Sequence, residues 1–201
     1  MSGHVSGMSV RSLALHRRSP TACVSDDLTE TAQQAYLERF SWVDGHADTW
    51  SPLRDADTLA VVVTALGALV HESGATLVVG IEARGFLLGP AVARAASLGF
   101  VAVRKGDGLF AGASLEMVSA PDYRGIQQRL RLRSGDVREG DFVVLVDDWI
   151  ETGSQAEAAR SLVERAGGHW AGCVVIIDEA DDRVRKRVGP VRALASGDLL
   201  P

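Results

Sequence analysis

FVVLVDDWIETGSQ, residues 142–155, is the stretch from which the rest of the chain can be read. An unbroken apolar run gives way to Asp147 and Asp148, and a third acid, Glu151, follows. Thr152, Gly153 and Ser154 then lead into SQAEAARSLVERAGG (154–168), a run of helix formers closed by glycines. An apolar run of this length without alternation reads as a strand covered on both faces, as in a parallel sheet. The turn that enters the helix carries N–H groups with no intrachain partner, and with the helix dipole they make an anion cradle. Gly153 permits close backbone approach, and the Thr152 and Ser154 hydroxyls add donors. The plainer alternative is that Ser154 only caps the helix. Asp147 and Asp148 repel each other at the strand end unless something binds them.

Working outward, the same unit repeats. TLVVGIE (76–82), FVAVRK (100–105), FVVLVD (142–147), WAGCVVIID (170–178) and PVRAL (190–194) read as strands. RLRLR (129–133) alternates with period two, as a half-buried strand does. Helices are expected over 26–40, 55–74 and 85–99, although Gly89-Pro90 is an awkward start for the last. Strands alternating with helices predict an α/β fold, a largely parallel twisted sheet with helices on both faces. Ligands in such sheets bind beyond the carboxyl ends of the strands. The loops GIEARG (80–85), RKGDG (104–108) and VDDWIETGS (146–154) therefore converge on one edge.

Composition narrows the functional classes. The 201 residues suit one domain, and a net charge of −5 gives no electrostatic footprint for nucleic acid. No apolar stretch approaches the roughly 20 residues of a membrane span. Cys23 and Cys173 are too few for a disulfide framework, which fits a reducing cytoplasm. Residues 1–25 are basic and rich in Ser and Gly, lack the apolar core of a secretory signal, and read as a disordered tail. Residues 26–201 form the folded domain.

A phosphate loop of the nucleotide-binding kind needs a Lys before its Ser or Thr, and none stands here. A carboxylate pair beside a phosphate cradle suits a sugar phosphate instead. Apolar residues, two acids, three residues and then Thr-Gly-Ser is a pattern that resembles the type I phosphoribosyltransferases. VVGIEARGFLLGPAVARAASLGFVAVRK (78–105) and WSPLRDADTL (50–59) bring the resemblance closest to the adenine phosphoribosyltransferases, over roughly residues 26–195. The resemblance implies transfer of ribose 5-phosphate from phosphoribosyl pyrophosphate (PRPP) to a purine base, with Mg²⁺ held mainly through pyrophosphate and ribose oxygens. It also implies a small N-terminal hood at about 26–54 and a homodimer. By position, Asp147 and Asp148 would flank the ribose, with Asp148 counted among the catalytic groups. Glu151, Thr152, Gly153, Ser154 and Gln155 would hold the 5-phosphate. Ala83, Arg84 and Gly85, following Glu82, would grip pyrophosphate. Arg104 and Lys105 would add charge.

The chain also departs from that pattern. Adenine-type members carry a small residue where Glu151 stands, and hypoxanthine-guanine members an Asp. Glu151 is therefore expected to act as acid/base toward the purine, against the plainer reading of a solvated acid near a helix N-terminus. The loop RKGDGLFAGASLEMVSAPDY (104–123) is longer than usual and lacks prolines at its start. Its Glu116 is the nearest acid to the expected catalytic glutamate, and 106–122 is compatible with a lid. Trp149 and Phe86 are candidates for the base pocket, with Trp42 and Trp50 as hood residues. His46 and His71 have no metal-site spacing. Adenine is the foremost acceptor. The alternatives are a pathway-specific transferase acting on hypoxanthine, guanine or an unusual base, and a PRPP-binding transcription regulator without catalysis.

Overall fold

A computed structural model of the chain describes residues 21–107 and 111–201. The expected tail lies mostly outside these; α1 (Thr21–Leu37) already begins at Thr21, so its first turns precede the expected start at 26. A short hairpin follows, β1 (Ser41–Val43) with β2 (His46–Asp48), and then a 3-10 turn, Ser51–Arg54. Next comes α2 (Ala56–Glu72), begun by Asp55, whose carboxylate accepts from Thr58 N at 2.9 Å.

The remaining elements alternate. They are β3 (Leu77–Ile81), α3 (Arg84–Ala95), β4 (Gly99–Lys105), β5 (Ser114–Val118), β6 (Arg129–Arg133), β7 (Phe142–Ile150), α4 (Ser154–Arg165), β8 (His169–Asp178), α5 (Asp182–Val188) and β9 (Val191–Ser196). Among the described residues seven strands form one sheet in the order β5-β6-β4-β3-β7-β8-β9. The strands β4-β3-β7-β8-β9 pair in parallel, and β6 and β5 add an antiparallel edge. The chain leaves β3 toward β4 and later returns to β3's other side as β7. The switch point, where a crevice opens at the strand ends, therefore falls between β3 and β7.

Alternation along β7 explains why its run is wholly apolar. Val144 and Val146 face a core built with α1, α2 and α3 through Tyr36, Leu66, Val70 and Val92. Val143 and Leu145 face the opposite core, with Leu162 and Val163 of α4 and Val184 and Val188 of α5. Each fully buried side chain of this size contributes roughly 1.5–3 kcal/mol.

Three expectations change. Pro90 sits inside α3, not at its start; it is exposed, so the helix carries it on its outer side. The expected 106–122 lid contains a strand, β5, paired over five residues with β6 from Ser114↔Arg133 to Val118↔Arg129. From Leu115 to Val118 its exposure alternates, with Leu115 and Met117 half-buried on a core, but the signal is only four residues long. The helix α5 is also new. Its signal is Val184 and Val188 four apart, behind Asp181, whose carboxylate accepts from Val184 N at 2.7 Å.

Candidate active site

At the switch point lies a cavity of about 610 Å³, lined by the ends of β3, β4, β7 and β8 and by the β1–β2 hairpin. Its size is that of a small-molecule site. β7 forms one wall. The strand runs on to Ile150 because β8 continues beside it, pairing Asp147↔Val175, Trp149↔Ile177 and Ile150↔Asp178. Successive side chains on a strand point to opposite faces, so the two acids part company. Asp148 is buried, 5% exposed, and its Oδ2 accepts from Thr49 Oγ1 at 2.8 Å and Arg84 Nη1 at 2.6 Å. Tyr36 extends this network by donating to Thr49 O at 3.2 Å, and burial together with the Asp148 charge pushes its phenol pKa up. Asp147 turns to the other face, where its Oδ1 accepts from Asp148 N at 3.0 Å. Burial first, and then the neighbouring Asp148 charge, hold the Asp147 carboxyl well above the usual range.

The β3 end supplies the opposite wall. The Glu82–Ala83 peptide is cis. Glu82 accepts from Lys105 N at 3.0 Å and pairs with Arg104 at 3.4 Å, which fastens this loop to β4 and keeps its carboxyl ionised. Ala83, Arg84 and Lys105 line the cavity. Burial lowers the Lys105 ammonium pKa. Gly85 lies beneath the loop and not on its lining. A Cβ there would meet Gly80 C and Val146 O at 3.0 Å, so its role is to let α3 press onto β3 and β7.

The β7–α4 turn completes the floor. Glu151, Thr152, Gly153, Ser154 and Gln155 all line the cavity. The capping position belongs to Gly153, in the left-handed region at φ 66°, and no side chain caps the helix. Ser154 is instead the first helical residue, and its hydroxyl lies 3.1 Å from that of Thr152. Among the first amides of α4, Ser154 N reaches Thr152 Oγ1 only at 3.5 Å, and the turn and the first helical residues line the cavity. Above them stand Trp149 and Trp42, ring centroids 6.5 Å apart, with Phe40 joining the hairpin to β7. Trp149 Nε1 donates to Glu179 Oε2 at 3.1 Å. The Glu151 pKa is raised, by burial and then by the charges of Glu179 and Asp122.

Several expected residues are not brought to this lining. Phe86, one turn into α3, packs edge-on against Phe100 at 6.2 Å. Arg104 is engaged with Glu82. Glu116 pairs with Arg131 at 3.1 Å, and its carbonyl accepts from Arg165 of α4, because the β5 register turns it to that face. Sequence reasoning passed over Glu179, Asp122, Tyr123 and Arg124, which do line the cavity. Glu179 follows the carboxyl end of β8, the place where the sheet rule puts ligand groups. Asp122 opens a Pro-Asp-Tyr-Arg-Gly turn, legible as a turn, though nothing local says where it lies.

Comparison with known proteins places the chain in a family. The phosphoribosyl transferase domain matches residues 50–195.

This chain belongs to the phosphoribosyl transferase family.

Adenine phosphoribosyltransferase of Streptomyces coelicolor is 40% identical over 147 residues, covering 73% of this chain and 78% of that protein. The namesake of Kineococcus radiotolerans is 42% identical over 144 residues, 71% of this chain and 76% of that protein. Among solved structures, adenine phosphoribosyltransferase from Rhodothermus marinus superposes with a TM-score of 0.72 at 32% identity, over 83% of this chain and 98% of that one. As a phosphoribosyltransferase the chain is an enzyme of the transferase class, on the type I phosphoribosyltransferase fold.

Proposed function

We propose that the enzyme transfers the 5-phosphoribosyl group of PRPP to adenine in purine salvage, releasing pyrophosphate. The observation that carries this reading is the uncapped amino end of α4, opening onto a cavity whose walls hold Asp147, Asp148 and Arg84. The amides of residues 153–156 and the Thr152 and Ser154 hydroxyls receive the 5-phosphate. Asp147 and Asp148 accept from the ribose hydroxyls. As the bond from ribose C1 to the pyrophosphate oxygen breaks, positive charge gathers on C1 and the ring oxygen, and these carboxylates oppose it. Arg84, resting on Asp148 in this structure, and Lys105 balance the departing pyrophosphate. A base nitrogen closes on C1 and releases its proton, for which Glu151 is the acceptor with the raised pKa.

Mg²⁺ fits this donor set. No cluster of three or more ligating side chains occurs among the described residues, but a hard cation of this kind takes one or two carboxylates and fills its shell from phosphate and water. Asp147 and Asp148 are the carboxylates in reach of such an ion, which when bound neutralises charge on pyrophosphate.

Adenine is favoured over 6-oxopurines by the character of the lining near the Trp149 ring. Glu179, whose Oε2 holds Trp149 Nε1, is an acceptor when ionised. Adenine presents an amine at position 6, which donates, whereas hypoxanthine and guanine present an oxygen, which carboxylates repel. The same reading makes the enzyme a cytoplasmic homodimer, checked by light scattering of the purified protein. Among the described residues no helix is long and apolar enough to cross a membrane. Pyrophosphate release with PRPP, Mg²⁺ and a panel of bases tests the proposal. Turnover confined to adenine is expected. Turnover with hypoxanthine alone would reverse the specificity argument, and PRPP binding without turnover on any base would make the chain a sensor.

A further inference from the structure

We infer that Arg187, on the side of α5 away from the substrate, is a positioning residue that sets the phosphate cradle; the inference rests on the cradle reading above. α5 is pressed against the turn. A Cβ on Gly153 would stand 2.6 Å from Val184 Cγ1 and 2.9 Å from Val188 Cγ1, so the helix and the turn are in direct contact. From this helix Arg187 makes three links. Its Nη2 donates to Thr152 O at 3.0 Å, its Nε to Glu157 Oε2 at 3.0 Å, and its Nη1 to Arg183 O at 3.4 Å. Arg160 Nη1 of α4 in turn donates to Arg187 O at 2.9 Å. The guanidinium thus grips the carbonyl just before the cradle amides and the carboxylate just after them. Arg187 itself is absent from the cavity lining.

Two consequences follow for an anion in the cavity. The C=O and N–H of a trans peptide point in opposite directions. With Thr152 O held outward by Arg187, the N–H of Gly153 is turned the other way, toward the cavity that Gly153 lines. The bond from a cation also polarises that peptide and makes its N–H a stronger donor. Second, Glu157 stands in the first turn of α4, where its charge would repel a bound phosphate; the Arg187 ion pair at 3.0 Å offsets it. A lysine has neither the reach nor the planar fork to hold both partners.

The experiment is calorimetric titration of the full chain with ribose 5-phosphate, and separately with pyrophosphate and Mg²⁺. It uses the wild type, Arg187→Met, Arg187→Lys and Glu157→Gln. Arg187→Met is expected to weaken ribose 5-phosphate binding about tenfold, the effect of losing a charged hydrogen bond, while pyrophosphate binding moves less than about twofold. Arg187→Lys recovers part of the loss. Glu157→Gln, which keeps the bond to Thr152, changes ribose 5-phosphate binding less than about threefold. Equal weakening of both ligands, or an unchanged ribose 5-phosphate affinity in Arg187→Met, overturns the inference. Should Arg187→Met not fold, Arg187→Lys carries the same comparison. A wild type that binds pyrophosphate but not ribose 5-phosphate sinks the cradle reading itself, a distinct result.

Discussion

Replacing Gly153 with alanine puts a number on the contact between α5 and the cradle. The residue sits at φ 66°, where an L side chain costs about 1–2 kcal/mol relative to glycine. The new Cβ would lie 2.6 Å from Val184 Cγ1 and 2.9 Å from Val188 Cγ1. Both valines are buried, so neither can swing away freely, and overpacking of this kind costs about 1–3 kcal/mol. The total is roughly 2–5 kcal/mol. It is divided between a lower Tm and weaker ribose 5-phosphate binding, because the turn can relieve the clash by moving α5 or by moving its own amides. Differential scanning calorimetry and titration with ribose 5-phosphate read the two shares. A second substitution, Val184→Ala, separates the causes. It removes both methyls of the nearer valine and leaves Val188 Cγ1 at 2.9 Å, so the double variant should recover part of the overpacking share and none of the φ share. If Gly153→Ala kept both its Tm and its affinity, or if Val184→Ala brought no recovery, the account of this turn would be wrong.

Three further expectations concern the acids. Asp147 has its pKa raised in the folded chain, so the fold binds more protons than the unfolded chain between the ordinary carboxylate range and the raised value. Its ionisation therefore lowers stability as pH rises through that window. Asp147→Asn should raise the Tm of the ligand-free protein at pH 7.5 while weakening PRPP binding; a lower Tm would contradict the burial argument. Glu151→Gln should reduce turnover about 10²-fold or more, the lower end for loss of a general base, with PRPP affinity nearly kept. Because Glu179 and Asp122 add to the upward shift of Glu151, Glu179→Gln lowers that pKa and moves the acid limb of kcat/KM to lower pH. A limb that stays put in Glu179→Gln would remove Glu151 from the role of proton acceptor.

The seven-stranded frame and its catalytic turn differ in how far they could be read in advance. The apolar runs at 76–82, 100–105, 142–147 and 170–178 were legible because burial on both faces is a local demand on residue type. The Thr152–Gln155 turn was legible as an entry into a helix, since a glycine and two hydroxyls stand ahead of helix formers, with a plain cap and an anion cradle both open to it. β5 was not, since the alternation of Ser-Leu-Glu-Met is too short to stand as a signal and the strand is fixed by its pairing with β6. That register carries Glu116 to Arg131 and away from the cavity.

By itself, then, the sequence determined that a strand ends in acids and hands over, through a glycine turn, to a helix. Only the tertiary structure decided which acid does what. β8 runs past Asp147 as far as Asp178 and holds β7 extended to Ile150, so strand alternation sends Asp148 to Thr49 and Arg84 and Asp147 to the opposite face. It alone also brought Glu179 beside Glu151 and set α5 behind Gly153. Each of these depends on segments far apart in the chain, whose meeting is fixed by sheet order and core packing, and no local pattern of residues encodes that.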